Sequence, residues 1–184
     1  MPSPIGHSLI GLSIYTVFTQ RSQLYKNWKL IFTSVILANL PDIDYVVVFI
    51  FNNPFYHRTF SHSLLFSVLV ALAVSRFKII DFGSRNKIFF YCFCLVFSHA
   101  LADFFVRDGY YPSKVALFYP FGGMINSPVS LFDPLNWAKY DLFFSIETVH
   151  ALIREFLLTA SLFLLIFFRK RPVAATKRSF RSGE

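Results

Sequence analysis

Long apolar runs alternate along the chain with short, mostly basic connections. Residues 5–19 are apolar, and a polar stretch with Arg21, Lys26 and Lys29 follows. Residues 30–51 are numerous enough to span a bilayer, but Asn39-Leu40-Pro41-Asp42 interrupts them. Proline cannot continue a helical hydrogen-bond ladder, so a break or a new helical start is predicted there. Residues 64–74 form a third run, extended by Arg76 and Lys78, whose stems lie along apolar surface. A second basic connection holds Asp81, Gly83, Arg85 and Lys87, and residues 88–106 and 149–168 make the last two runs. Residues 107–147 are rich in Pro, Gly and aromatics and read as a long loop with short interfacial helices. The pattern predicts an all-α fold, a multi-pass membrane helical bundle of four to five transmembrane helices with a broken second helix. The count is a range because several runs fall short of the ~20 residues of an unassisted span.

Composition agrees with a membrane class. Hydrophobic residues make up 55% of the 184 residues and aromatics 20%, with mean hydropathy +0.52, too apolar for an ordinary soluble domain. No linker or internal repeat divides the chain, so residues 1–168 are expected to form one membrane-embedded domain. Residues 169–184 are expected to be a disordered basic tail. The net charge of +8 is scattered between apolar runs, which fits charge that sets topology and argues against a nucleic-acid partner. Five helices place Arg21, Lys26, Lys29, Arg76, Lys78, Arg85, Lys87 and the tail on one side, against Arg58, Arg107, Lys114 and Lys139 on the other. The positive-inside pattern then predicts an outside N-terminus and a cytoplasmic C-terminus. The N-terminus has no basic n-region, so the first apolar segment is expected to be retained. Cys92 and Cys94, two apart on one helix, do not face each other and read as buried thiols.

Four polar islands sit within these apolar runs: Gly6-His7-Ser8, Asp42-Ile43-Asp44, His57-Arg58-Thr59-Phe60-Ser61-His62-Ser63, and His99 with Asp103. Such groups are costly in an apolar setting unless they bind something. At ~1.5 Å per helical residue, His7 lies ~21 Å from Arg21, Asp42 ~20 Å from Lys29, and His62 ~21 Å from Arg76. His99 and Asp103 lie ~18 and ~24 Å from Lys87. Alternating segments therefore bring all four islands to one height, in the outer third of a ~30 Å core.

His99 and Asp103, four apart, share a helix face and can reach one ion; Arg58 and His62 have the same spacing. Ser61 is an alternative helix cap, with His57 in the preceding loop. Asp42 and Asp44 project differently, so one is expected as a terminal ligand while the other orients a histidine or bridges two ions. Imidazoles with carboxylates suit zinc first, with manganese or iron as alternatives, in a site of one or two divalent ions. Each element also has an ordinary reading: His7 at a helix terminus, Asp42 and Asp44 in a cap or turn, His99 and Asp103 as a buried pair. Their shared depth favours the metal. Arg58 serves either as an anion contact or as an internal partner of the carboxylates. Glu147 and His150 are either added ligands or an interfacial pair, and Tyr119-Pro120-Phe121-Gly122-Gly123 reads as a tight interfacial loop.

At these residues the sequence resembles the YdjM-type family of bacterial and archaeal inner-membrane proteins, described as metal-dependent hydrolases. The resemblance runs over residues 2–123 through Pro4-Ile5-Gly6-His7-Ser8, Leu40-Pro41-Asp42-Ile43-Asp44, His57-Arg58 and Ser61-His62-Ser63. It continues through Ser98-His99 to Asp103, Gly109 and Tyr119-Pro120-Phe121. Thr59-Phe60-Ser61 stands where the family more often has a Gly and a Thr, and Arg107-Asp108 is unusual. The His-x-x-x-Asp element is also similar to that of zinc-dependent phospholipase C and the related P1-type nucleases. These resemblances imply an integral membrane hydrolase acting on a phosphoester or other ester of a lipid or lipid-linked substrate through metal-activated water. The implied metal residues are His7, Asp42, Asp44, His57, His62, His99 and Asp103, and the catalytic ones Arg58, Asp44 and His57. The implied location is the bacterial inner membrane, with the site toward the outer face. The alternatives are a non-enzymatic regulatory membrane protein with a structural metal site, and a metal ion transporter.

Overall fold

A computed structural model describes residues 2–53, 57–106, 114–135 and 145–170. Its helices are α1 (Pro4–Phe18), α2 (Trp28–Asn39), α3 (Asp44–Phe51), α4 (Leu64–Arg76), α5 (Arg85–Phe104) and α6 (Ile146–Arg169). Side-chain caps start most of them. Ser3, Asn27, Ser63, Ser84 and Ser145 accept from the backbone N–H of Gly6, Leu30, Phe66, Lys87 and Thr148. Pro41 ends α2 as its chemistry requires. The chain tightens into a 3₁₀ turn, Leu40–Ile43, and restarts as α3, which stops at Asn52 with φ 45°.

Three helical stretches are long and apolar enough to cross a membrane: Trp28–Phe51, Arg85–Phe104 and Ile146–Arg169. Pro4–Phe18 and Leu64–Arg76 are apolar but shorter. At ~1.5 Å per residue they cover ~20–23 Å of a ~30 Å core. The bundle is thus all-α, with five apolar segments of which three have spanning length. Its core gathers Tyr15, Leu37, Ala71, Ile88, Tyr91 and Leu95. α1 lies close along α2: a Cβ at Gly11 would stand 2.7 Å from the Ala38 Cβ and 3.0 Å from the Ser34 carbonyl. Outward apolar side chains such as Phe49, Ile50 and Phe168 cover the surface that lipid would meet.

Among the described residues of the 107–147 stretch, no helix precedes Ile146. Residues 114–135 fold instead through turns and two isolated bridges, Val115 with Ile125 and Val106 with Phe132. Arg107, Asp108, Gly109, Lys139 and the tail beyond residue 170 lie outside the described residues. The cap of α4 is Ser63, whose hydroxyl takes the Phe66 N–H, and not the alternative at Ser61.

Candidate metal centre

His7 stands in the first turn of α1, Asp42 and Asp44 flank the break after α2, and His57 to His62 lead into α4. His99 and Asp103 end α5. These ends meet, and His7, His62, His99 and Asp103 are fully buried.

Four ligand atoms, one each from Asp42, His62, His99 and Asp103, lie within 4.8 Å of one another and are positioned to hold a metal ion. Asp42 Oδ1 stands 3.2 Å from His99 Nε2 and 3.6 Å from His62 Nε2. The two Nε2 atoms are 3.2 Å apart, and His62 Nε2 is 3.3 Å from Asp103 Oδ2. Ligands about 2.0–2.1 Å from a tetrahedral ion stand about 3.3 Å from each other. The four separations given, 3.2 to 3.6 Å, lie close to that length.

Hydrogen bonding on the far side of each ring fixes which nitrogen faces inward. His99 Nδ1 is 2.8 Å from the Ala38 carbonyl, which only accepts, so Nδ1 carries the proton. His62 Nδ1 is 3.2 Å from Asp44 Oδ2 and likewise donates. In the neutral rings both Nε2 lone pairs then point at carboxylate oxygens. Acceptors aimed at acceptors repel unless a cation lies between them. The carboxylates of Asp42 and Asp103 stand 3.6 and 3.3 Å from His62 Nε2, so the field there favours positive charge. A divalent ion fits the same field and the same donor set.

Asp44 has a different place. Its Oδ1 accepts from His57 Nδ1 at 2.8 Å, and its Oδ2 accepts from Ser61 Oγ and from the Arg58 N–H at 3.2 Å. With both oxygens engaged it orients His57 and His62, an arrangement that fixes tautomers around many bound metals. Asp44, His57 and His62 also form a group close enough to hold an ion, but both rings turn Nδ1 toward the carboxylate. His57 is buried. Its Nε2 has no hydrogen-bond partner among the described residues. His7 stacks on His99 with ring centroids 3.7 Å apart, its Nε2 3.7 Å from Asp103 Oδ1, and neither ring nitrogen has a hydrogen-bond partner among the described residues.

Arg58 adopts φ 61° and turns its guanidinium inward, with Nε 3.1 Å from Asp103 Oδ2. Its carbonyl accepts from Ala116, and Leu117 accepts from Leu64, so residues 114–117 cover the loop. Glu147 and His150 are exposed and join neither ligand group. Sequence reasoning passed over Glu155. Its buried carboxylate accepts from the Ser3 N–H at 2.8 and 2.9 Å and from the Ser3 hydroxyl at 2.6 Å, tying α6 to the turn that carries His7. Its only sequence signal is an acid within the last apolar run.

The sequence matches the family described as YdjM inner membrane protein over residues 1–175. No curated protein and no solved structure matches. The likeness to zinc-dependent phospholipase C and P1-type nucleases has no counterpart in these comparisons.

Proposed function

The chain belongs to the YdjM inner membrane protein family, and from that premise we propose that it is a metal-dependent hydrolase embedded in the bilayer. One observation carries the reading: two imidazole lone pairs, fixed from behind by Ala38 and Asp44, converge with two carboxylates at ligand-to-ligand distances. Asp42, His62, His99 and Asp103 would hold the ion, with zinc the best fit to this donor set. The partnerless nitrogens of His7 and His57 are available to a second ion. Such a metal supplies Lewis acidity and a hydroxide equivalent near neutral pH.

The chain's own residues supply the rest. Asp44 holds two rings in register, and Arg58 braces Asp103 and places positive charge where negative charge would develop. A phosphoester or other ester of a lipid or lipid-linked molecule is the substrate class. Asp42, 15% exposed, is flanked by Ile43, 60% exposed, which favours approach from the apolar side. The distribution of basic residues supports a site toward the outer face and a cytoplasmic C-terminus.

The burial of His62, His99 and Asp103 favours a second reading, a structural metal in a non-enzymatic protein. Elemental analysis of purified protein, coupled to a screen of phosphoesters and lipid esters, separates the two. Bound metal with turnover is expected. Metal without turnover moves the assignment to the structural reading, and absence of metal sinks both.

A further inference from the structure

α4 begins beside the histidine cluster and is too short for the bilayer. Its 13 residues cover ~20 Å of a ~30 Å hydrocarbon core, which leaves about 10 Å beyond its start. Among the described residues, no helical turn but Phe60–His62 lies between α3 and α4. On the α2 side the stretch Trp28–Phe51 reaches spanning length because α3 continues past Asp42.

Residues 115–125 lie against the start of α4. The Leu64 N–H donates to the Leu117 carbonyl at 2.9 Å. The Tyr119 ring centroid is 6.1 Å from that of Phe60, which is 5.4 Å from that of Phe66. Val115, Ala116 and Leu117 are buried, whereas Phe118 is 59% exposed and Phe121 96% exposed. Leu65, Leu69 and Leu72 recur at helical spacing on the outward face of α4. The apolar surface of that helix thus continues through Phe60 and Tyr119 onto the turn. Phenyl rings held outward in this way are costly in water and favourable among acyl chains.

The backbone supplies an independent observation. Irregular chain enters an apolar medium only where its polar groups are satisfied within the protein. Val115 and Ile125 exchange N–H to carbonyl bonds of 2.8 and 2.9 Å, and Ala116 donates to the Arg58 carbonyl. Tyr119 donates to Ala116, and Phe121 and Gly122 both donate to Phe118. Position 120 is proline, with no N–H to satisfy. The turn is also tight, since a Cβ at Gly122 would stand 2.9 Å from the Phe118 Cβ.

We propose that this turn is seated in the leaflet at the histidine end, with Phe118 and Phe121 packed among lipid acyl chains as the continuation of the α4 surface. The bond from Ala116 to Arg58 joins it to the loop of the histidine cluster, so the cover of that cluster is anchored in the membrane. The inference requires only that the bundle is embedded in a bilayer, and neither a bound metal nor hydrolysis.

The test uses full-length protein reconstituted in phosphatidylcholine vesicles. Phe121→Trp and, separately, Phe118→Trp report on the turn, and Leu157→Trp, outward at the middle of α6, is the deep reference. Each is read as the difference from wild-type protein, which carries Trp28 and Trp137. The Phe121 ring stands clear of the core, so Phe121→Trp is expected to unfold at the wild-type temperature. Lipids brominated along the acyl chain quench a tryptophan among the chains, and iodide on both faces of the vesicle quenches one in water. Both turn reporters are expected to lose more emission to lipid brominated near the headgroup than to lipid brominated near the chain end, with the reverse order for Leu157→Trp. Iodide is expected to quench them several-fold less than a free tryptophan amide. Full iodide quenching without quenching by brominated lipid places the turn in water and overturns the proposal. Reporters shielded from both quenchers are covered by protein, a second copy or another segment of this chain, and that result overturns it too.

Discussion

At one end of the bundle, His62, His99, Asp42 and Asp103 aim lone pairs at one another in a buried space. At the other, Lys170 turns its ammonium onto the carbonyls of Thr16, Val17 and Thr19, where α1 ends. In the second case opposites meet: a cation satisfies orphan carbonyls and the negative end of a helix dipole. In the first, acceptors meet acceptors, with the Arg58 guanidinium beside Asp103 Oδ2. The contrast separates an end whose donor atoms are positioned to hold a cation from one where side chains already complete the structure. Substitutions of the clustered donors should therefore act on metal content, and substitution of Lys170 on stability.

The largest expected effect is that of Asp103→Asn. Losing a direct ligand should lower metal affinity by more than the about 10–100-fold typical of supporting partners. Elemental analysis after gel filtration reads it, with circular dichroism confirming helicity; wild-type metal stoichiometry would falsify the assignment of Asp103. Asp44→Asn comes next, with an expected loss of about 10–100-fold in a chelator competition, because His57 and His62 lose their orienting acceptor. Unchanged affinity would remove Asp44 from that role. Glu155→Ala should cost about 1–3 kcal/mol of stability, the penalty for leaving the buried Ser3 donors unpaired. Thermal unfolding in detergent measures it. Lys170→Ala should lower stability by only about 0.3–1 kcal/mol and leave metal content unchanged. A metal effect from Lys170→Ala would erase the distinction between the two ends.

The bundle and the meeting of the islands were legible because apolar length and helical rise are properties of the chain itself. Pro41 announced its break for the same reason. The division of labour between Asp42 and Asp44 was not legible, because it depends on the phase of the Leu40–Ile43 turn, where neither an α nor a β period applies. Nor was the preference for Ser63 over Ser61 as a cap. Both have the right chemistry, and the choice follows from Asp44 drawing the Ser61 hydroxyl away. Arg58 was open between an anion and an internal partner; its left-handed backbone turns it to Asp103. Glu155 gave little sign because its partner, Ser3, lies 152 positions away in the chain.

The carbonyl that fixes His99 belongs to Ala38, in the last turn of α2, among those a helix leaves without an internal donor. Four residues later, Asp42 meets the opposite nitrogen of the same ring. One imidazole is thus gripped from both sides by a single short piece of chain, which makes the number of residues between Ala38 and Asp42 a fixed length. Adding one residue after Asn39 would rotate one grip against the other by about 100°. The two contacts could not both be kept. Exchanging a side chain at Leu40 or Ile43 leaves that count intact, so this turn should tolerate substitution far better than insertion.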